Sequence, residues 1–482
     1  MEDNNFFKNV ARVMFGNAAL LLSQVLTGLV LPKLMSVESF GNYRTFMLYG
    51  TYAGLLHFGF VDGILFKYGG KNIDDIKREE ISKYFSAFIA IEAITSIAIM
   101  AISVFLFSGS KYEFIFFAIG IYSFVLNIVT FFQYFSQAIM RFGLVSSASL
   151  IQAATISMII VSVLVSKLVG FSNGVNYQTY VLMYIGVYCV LLVFYTFGYK
   201  NGNRHNKISI TGKYGVNGIS EVFKIGLPIT IAYQISNLTL NLDNQFVSMF
   251  FSARTFAKYS FAYNLISVTV SVVLAVAMVL FPYLNKLGKA AALKQYINNI
   301  DYILLFAYAS LISYYPVQII VTWFLPEYQE SLVYFRILSP GVAITLCITV
   351  IVSNYYKVMD DNIRYLRNGC ISLVITLILD TVVYFTFKDV IAMAFVSLVE
   401  LAIWYTIEDV SFRVKYNIKN FSSYLYIGLM IVAFEVATGL QDILLSLIIY
   451  VCLYLVISLL VMRRSVKAFA RILKIRTALF LG

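Results

Sequence analysis

The sequence contains few of the residues from which enzyme sites are usually built. Only 12% of its 482 residues are charged, two are histidines and four are cysteines. The cysteines lie in apolar stretches without metal-type spacing, which indicates small buried side chains rather than a zinc site or a disulfide framework. No Ser-His-Asp, zinc or nucleotide-binding motif is present either. The sequence therefore predicts a protein that is not an enzyme, with no catalytic residues, no metal site and no cofactor apart from a coupling H⁺ or Na⁺.

Long polar stretches are also missing, so the chain has no soluble domain that could hold an active site. The longest polar stretch, at 200–220, is basic and contains glycine, as is typical of a linker. The first residues, MEDNNFFKN, are too acidic and polar for a cleavable signal peptide. We therefore expect the first apolar stretch to remain in the mature protein.

Apolar residues make up 60% of the chain, and its mean hydropathy is +0.82. They form about fourteen stretches, each close to the ~20 residues that a helix needs to cross a bilayer. The sequence thus predicts an all-α integral membrane protein with about fourteen transmembrane helices. The predicted spans are 10–31, 42–66, 84–107, 113–138, 144–168, 177–199, 221–250, 256–284, 301–325, 331–356, 364–387, 390–412, 421–438 and 443–462.

The basic residues indicate the orientation of these helices. With the N-terminus in the cytoplasm, 28 of the 36 lysines and arginines lie on the inner side, which is the asymmetry that the positive-inside rule predicts. Both termini are therefore predicted to be cytoplasmic. The net charge of +12 is then mostly an orientation signal and does not indicate nucleic-acid binding. The basic residues on the outer side are Lys33, Arg44, Lys111, Lys167, Arg254, Lys258, Arg336 and Lys388.

A weak internal repeat divides the chain. Residues 39–43 and 255–259 both combine a short turn with an aromatic residue just before the chain re-enters the membrane. We therefore predict two six-helix lobes in parallel topology, related by an axis along the membrane normal. The predicted domains are an N-terminal lobe at 1–200, a cytoplasmic linker at 201–220, a C-terminal lobe at 221–415, and a terminal helix pair with a basic cytoplasmic tail at 416–482.

The seventh span carries the densest set of polar side chains. Eight of the twelve residues from Gln234 to Gln245 are polar, and those at 234, 237, 241, 244 and 248 share one face of a helix. Residues 237–243 also alternate as a strand would, but a lone strand cannot span lipid, which favours a helix. Hydrogen bonds between helices or a hydrated central cavity would both explain this face, and the number of polar groups favours the cavity.

Similar polar spacing in the first, fourth and eighth spans supplies further candidates for a binding site. Arginine suits a phosphate-containing head group because its planar fork donates two parallel hydrogen bonds. The alternative interpretation is that these basic side chains, which lie near the ends of spans, extend to the membrane–water interface and bind no ligand. The predicted substrate-binding residues are Arg12, Arg44, Arg141, Arg254, Lys258, Gln24, Gln137, Gln234, Asn237, Asn241, Asn244 and Asn264.

Five carboxylates lie in apolar spans, and four of them are the leading candidates for binding a coupling ion. Asp243 lies in the polar seventh span, the other three candidates are Glu92, Asp380 and Glu400, and the fifth carboxylate is Glu435. A carboxylate is costly in the bilayer core, so each is expected either to bind H⁺ or Na⁺ or to pair with a neighbour. His57, in the second span, is interpreted as a packed or hydrogen-bonded residue rather than a proton relay.

Short segments along nearly the whole chain carry a family resemblance. They are 39–43 (SFGNY), 58–63 (FGFVDG), 67–70 (KYGG), 133–144 with Gln137 and Arg141, 224–228 (KIGLP), 243–246 (DNQF), 259–264 (YSFAYN) and 281–284 (FPYL). In order and spacing they resemble the polysaccharide transporter branch of the multidrug/oligosaccharidyl-lipid/polysaccharide (MOP) exporter superfamily. This branch contains the Wzx-type flippases of O-antigen and capsule biosynthesis, and it is related to MATE transporters and lipid II flippases.

The resemblance implies two six-helix lobes arranged as a V, whose cavity holds the head group of an undecaprenyl-pyrophosphate-linked oligosaccharide. Rocking of the lobes would move this lipid from the inner to the outer leaflet of the bacterial cytoplasmic membrane. Related lipid II flippases carry cavity cations on their first, second and eighth helices, where Arg12, Arg44 and Lys258 fall in this chain. An inside-negative potential of about 100 mV would contribute roughly 4–5 kcal/mol for about two exported negative charges, and H⁺ or Na⁺ counter-flow is a further source of energy.

The implied partners are the lipid-linked oligosaccharide, the lipid bilayer, and the polysaccharide polymerase and chain-length machinery, with no nucleic acid. Two alternative functions stay open. One is a MATE-like antiporter of small molecules or cations, whose cavity should be acidic. The other is a membrane glycan polymerase or ligase, which would usually carry a large outer loop.

Overall fold

The computed structural model describes residues 2–71, 76–171, 174–200, 218–277 and 287–467. Within these ranges the chain forms helices and connecting turns, without a β-strand. Ten helical segments there are long and apolar enough to cross a membrane, which confirms the prediction of a multi-pass all-α membrane protein. The count of about fourteen spans and the cytoplasmic position of the termini stay predictions. Residues 201–217 of the predicted linker, 278–284 of the eighth span and the tail beyond 467 lie outside the described residues.

The chain divides into two compact units, and the first contains Met1–Asn237 and Phe251–Ala257. Helix α1 packs along α6 because Gly16 leaves room for Ser146, whose hydroxyl donates a hydrogen bond to the carbonyl oxygen of Arg12 at 2.7 Å. Stacked rings of Phe60, Phe88 and Phe131 fill the space between α3, α4 and α5. The helices are α1 (Glu2–Leu34), α2 (Val37–Gly50), α3 (Phe60–Tyr68), α4 (Arg78–Leu106), α5 (Lys111–Ala138), α6 (Phe142–Leu168), α7 (Tyr177–Lys200) and the first part of α8 (Ile219–Phe250).

The predicted second span, 42–66, is broken. Helix α2 ends at Gly50, a 3₁₀ turn covers Ala53–His57, and α3 begins at Phe60. Phe58 and Gly59 between them are left-handed, with φ of 48° and 80°. Such a break exposes backbone groups that must find partners inside the membrane, and the side-chain amide of Asn127 donates to the carbonyl oxygen of Ala53 at 3.1 Å. The apolar pattern of the span indicated its length but not this interruption.

The second unit contains Leu238–Phe250 and Lys258–Gly482. Its helices are the end of α8, α9 (Ala253–Ala277), α10 (Lys289–Ser310), α11 (Tyr314–Phe324), α12 (Ser331–Leu338), α13 (Gly341–Leu346), α14 (Ser353–Val358), α15 (Asn362–Phe387), α16 (Val390–Lys415), α17 (Ser422–Thr438) and α18 (Ile443–Val461). A π-helical turn at Cys347–Val352 joins α13 to α14, so the predicted tenth span is also irregular.

A buried ion pair attaches α17 to this unit. The guanidinium Nε of Arg413 lies 2.5 Å from Oδ2 of Asp409, and both side chains are inaccessible to solvent. Tyr296 and Tyr424 donate their hydroxyls to Asp409 at 2.7 and 2.6 Å. Arg413 in turn donates to the hydroxyl of Ser423 at 3.1 Å. Because each charge is surrounded by hydrogen-bond partners, this network can lie in a dry interior without an unpaired ion.

Replacing Arg413 with methionine is expected to lower the free energy of unfolding by about 3–5 kcal/mol, since Asp409 would keep a buried, uncompensated charge. Thermal unfolding of the purified protein in detergent measures the effect. Lys415→Gln is the matched control, because Lys415 pairs with Asp361 at the exposed end of the same helix and such pairs contribute about 0–1 kcal/mol. Equal melting of the two variants would contradict the assigned role of the network.

Candidate functional site

The polar segment of the seventh span is helical throughout, as predicted, because α8 runs without interruption from Ile219 to Phe250. Gln234 is buried, and its side-chain oxygen accepts a hydrogen bond from the Asn237 amide at 3.4 Å. Asp243 and Asn244 are also buried. The helix thus carries a row of side chains that need hydrogen-bond partners inside the membrane.

Asp243 lies at the centre of the richest polar cluster on this helix. Its carboxylate oxygen Oδ2 accepts a hydrogen bond from the hydroxyl of Tyr259 at 2.6 Å and another from the hydroxyl of Tyr263. The Tyr263 hydroxyl also lies 3.1 Å from Oγ of Ser397 on α16. Two phenolic donors stabilise the negative charge of Asp243. Tyr259 and Tyr263 are one helical turn apart on α9, a spacing that is visible in the sequence, but neither tyrosine is among the predicted site residues.

Two further carboxylates reach the same place from α15 and α16. Asp380 and Glu400 lie within direct interaction distance of each other, and both are within electrostatic range of Asp243. Asp380 is completely buried, and neither of its oxygens accepts a hydrogen bond from any residue in the described ranges. Oε1 of Glu400 is buried and likewise without a donor there. Asp243, Asp380 and Glu400, with Tyr259, Tyr263 and Ser397, are called the carboxylate cluster below.

If all three carboxyl groups of the carboxylate cluster were ionised, the buried site would carry three negative charges without a compensating cation from the described residues. Like charges at close range disfavour one another, and burial disfavours each of them. Two neighbouring carboxyl groups also cannot hydrogen-bond unless one of them carries a proton. The cluster can therefore hold one or two exchangeable protons, or a monovalent cation among its oxygens. Three of the four predicted ion-coupling residues meet here.

The fourth, Glu92, belongs to the first unit. It is completely buried on α4, and its Oε2 accepts a hydrogen bond from the Asn127 amide at 2.8 Å. Since the same amide donates to the carbonyl oxygen of Ala53, Glu92 is connected through Asn127 to the break in the second span. Oε1 of Glu92 has no donor in the part of the chain that is described.

The predicted cations have different surroundings. Arg12 is exposed within α1, Arg254 is exposed at the beginning of α9, and Arg44 is half-buried on α2. The guanidinium of Arg141 lies over the ring of Tyr199, with its central carbon 5.5 Å from the ring centroid. Lys258 forms an ion pair with Glu330 at 2.5 Å, so a head group would have to compete with that carboxylate.

The remaining predicted amides lie along several helices. Gln24 is exposed on α1, whereas Gln137, Asn241 and Asn264 are half-buried on α5, α8 and α9. These residues are on four different helices, and a binding surface shared by all of them is still a prediction.

A cavity that the sequence did not reveal lies between α5, α6 and α7. Its volume is about 100 Å³, and its polar lining residues are Thr130, Gln133, Ser149, Gln152, Tyr188 and Tyr195. The Tyr195 hydroxyl is buried without a hydrogen-bond partner in the described residues. The space exceeds the roughly 10–15 Å³ that one water needs. Neutral hydroxyls and amides of this kind suit water or sugar hydroxyls rather than an ion.

No protein-family model matches the chain, and no curated protein matches its sequence. Solved structures do match. The lipid II flippase MurJ in an inward closed conformation is 14% identical, with 95% of this chain and 100% of that chain covered and a TM-score of 0.68. An inward-facing multidrug resistance MATE family transporter of the MOP superfamily is 11% identical, with 83% and 96% covered and a TM-score of 0.65.

A MOP superfamily transporter from Pyrococcus furiosus is similar as well, at 11% identity, with 89% of this chain and 96% of that chain covered and a TM-score of 0.56. All three structures are of transporters and not of enzymes. The chain therefore has the fold of MOP superfamily transporters, which confirms this part of the resemblance. Wzx-type specificity within that fold stays a prediction.

Proposed function

We propose that this protein is a flippase that moves an undecaprenyl-pyrophosphate-linked oligosaccharide from the inner to the outer leaflet of the bacterial cytoplasmic membrane by alternating access. The observation that carries the proposal is the fold, which matches that of a lipid II flippase over 95% of the chain. The segments that resemble Wzx-type flippases, among them 39–43 and 224–228, favour a glycan as the cargo. The moved lipid would then be available to a polymerase and to chain-length machinery on the outer side.

The physical problem for such a cargo is its head group. A pyrophosphate and several sugars cannot cross hydrocarbon without partners that replace their water. The amides of α8, such as Asn237 and Asn241, would hydrogen-bond the sugars, and Arg12, Arg44, Arg141 and Arg254 would attract the pyrophosphate. The prenyl chain would stay in lipid. Because the cargo is anionic, an inside-negative potential favours its movement outward.

The carboxylate cluster is the proposed site for the coupling ion. Its three carboxyl groups belong to α8, α15 and α16, so a change in the relative position of these helices would change the affinity for H⁺ or Na⁺. Release of the ion on one side of the membrane would then be coupled to the orientation of the transporter. The same cluster would suit a MATE-like cation antiporter, which is the second candidate function.

A leaflet assay distinguishes the two functions. The purified protein is placed in liposomes that contain a fluorescent undecaprenyl-pyrophosphate-linked oligosaccharide in both leaflets, and a membrane-impermeant lectin reports the outer pool. We expect the inner pool to become accessible, faster under an inside-negative potential, while a labelled phospholipid in matched vesicles stays in its leaflet. Expulsion of an organic cation against an H⁺ or Na⁺ gradient, with the glycolipid unmoved, would instead establish the antiporter.

A further inference from the structure

His57 lies at the break in the second span, in surroundings that constrain its protonation. It ends the 3₁₀ turn Ala53–His57 and is 7% exposed. Its ring nitrogen Nδ1 accepts a hydrogen bond from the backbone N–H of Gly59 at 3.1 Å. A ring nitrogen that accepts a hydrogen bond carries no proton, so the ring here is neutral and its proton is on Nε2.

The protonated nitrogen faces a carboxylate. Nε2 of His57 lies 4.0 Å from Oδ2 of Asp62, in the first turn of α3. This distance is too long for a direct hydrogen bond. The hydroxyl of Thr230 on α8 donates to the same Asp62 oxygen at 2.5 Å. Gln234, one turn further along α8, lies beside Gly54, as does Nε2 of His57. Asp62 is thus held by α8 at a distance from which a small movement would bring it to the ring.

Within the described part of the chain, the other titratable groups connected to this pair are Tyr134 and Glu92. Tyr134 of α5 is within electrostatic range of Asp62. Glu92 of α4 is connected to the start of the same turn through Asn127 and the carbonyl oxygen of Ala53. The other side chains of α8 that face the pair, Thr230 and Gln234, are neutral. The charge of His57 would therefore be balanced chiefly by Asp62.

We propose that His57 is a proton-binding site whose occupancy switches the backbone of the broken second span. A proton from water adds to the lone pair of Nδ1, and the hydrogen bond from the Gly59 N–H is lost because that lone pair is no longer available. The imidazolium then pairs with Asp62, and the net charge of the two side chains rises from −1 to 0. Loss of the proton restores the hydrogen bond and the turn.

The turn contacts α8, so a movement of the turn would be transmitted to that helix. Phe58 and Gly59 are both left-handed, and Gly59 lies in backbone contact with Gly226, where neither position has space for a Cβ atom. A change at Gly59 must therefore move or release α8, the helix that also carries Asp243. This proton site lies outside the carboxylate cluster and does not depend on the identity of the cargo.

The chain offers a direct test because it has only two histidines, His57 and His205. In an H205N variant with ¹⁵N-labelled histidine, reconstituted in lipid nanodiscs, every ring signal belongs to His57. At alkaline pH we expect the neutral ring with the proton on Nε2. On acidification a doubly protonated ring should replace it, and hydrogen exchange at the Gly59 amide should accelerate over the same pH range.

Asp62→Asn, made in the same H205N background, is the matched variant. It keeps the size of the side chain and its partner Thr230 but removes the charge that stabilises the imidazolium. The titration of His57 should therefore move to lower pH, whereas the K415Q variant should leave it unchanged. The proposal is overturned if the ring stays neutral at every pH at which the protein is folded, if D62N does not move the titration, or if Gly59 exchange does not follow it.

Discussion

Replacing Asp380 with asparagine, or Glu400 with glutamine, is expected to reduce ion-coupled transport by about 10- to 100-fold. The estimate follows from the loss of one charged contact to the bound ion, worth about 1.5–3 kcal/mol. Both residues have buried oxygens that lack a donor in the described residues, so an amide of the same shape removes an exchangeable site without leaving a donor unpaired. The rate of cargo movement in liposomes, measured with and without H⁺ and Na⁺ gradients, gives the result.

Stability should change in the opposite direction. Because Asp243, Asp380 and Glu400 repel one another when ionised, neutralising one of them should leave the melting temperature unchanged or raise it. A purely structural cluster would lose stability instead. The combination of lower transport with retained or higher stability is therefore specific to an ion-binding role.

Glu435→Gln provides the comparison. Glu435 is also a carboxylate within an apolar span, but it forms an ion pair with Arg336 at 2.9 Å. Its loss should lower the melting temperature and leave the dependence on ion gradients as in the wild type. Unchanged flux and unchanged ion dependence in both D380N and E400Q would remove the carboxylate cluster from the mechanism.

The carboxylate cluster illustrates what the sequence could and could not predict. Each carboxylate could be identified from the sequence as a candidate functional residue, because an acidic side chain in an apolar span is energetically costly. The proximity of the three carboxylates was not predictable, because Asp380 and Glu400 are more than a hundred residues from Asp243 in the sequence. It depends on how α8, α15 and α16 pack together. The same holds for Lys258, whose partner Glu330 belongs to another part of the second unit.

The broken second span shows a different limit of prediction from hydropathy. Its apolar length over 42–66 was visible, but hydropathy does not distinguish a continuous helix from an interrupted one with satisfied backbone groups. The interruption depends on tertiary partners, such as Asn127 on the carbonyl oxygen of Ala53. The hydrogen bond predicted for His57 is present, yet only the structure identified the Gly59 amide as its donor and Asp62 as its neighbour. These two contacts are the reason for proposing a proton-binding role that the sequence pattern disfavoured. By contrast, the helical polar face of α8 followed from a period that lies within a single element.

Gly226→Ala should be one of the most damaging single-methyl substitutions in the first unit. A Cβ at 226 would overlap the carbonyl oxygen of Gly59 and lie 2.5 Å from the amide nitrogen of Gly63. Both obstacles are backbone atoms, so no side-chain rotation relieves them, and α8 must move away from α3. Overpacking of this kind costs typically about 1–3 kcal/mol or more, and we expect a lower melting temperature together with loss of transport.

The control is a glycine with free space around it. Among the described residues, Gly186 on α7 has no heavy atom within 4 Å of where its Cβ would be, apart from its chain neighbours and the nearby backbone of its own helix, and alanine is favoured over glycine inside a helix by about 1 kcal/mol. G186A should therefore melt at or above the wild-type temperature and transport normally. If G226A behaves like G186A in both measurements, α8 does not depend on its backbone contact with Gly59. The contact between Gly59 and Gly226 would then also be ruled out as the route by which protonation of His57 moves α8, and other contacts between the broken second span and α8, such as the hydrogen bond from Thr230 to Asp62, would remain.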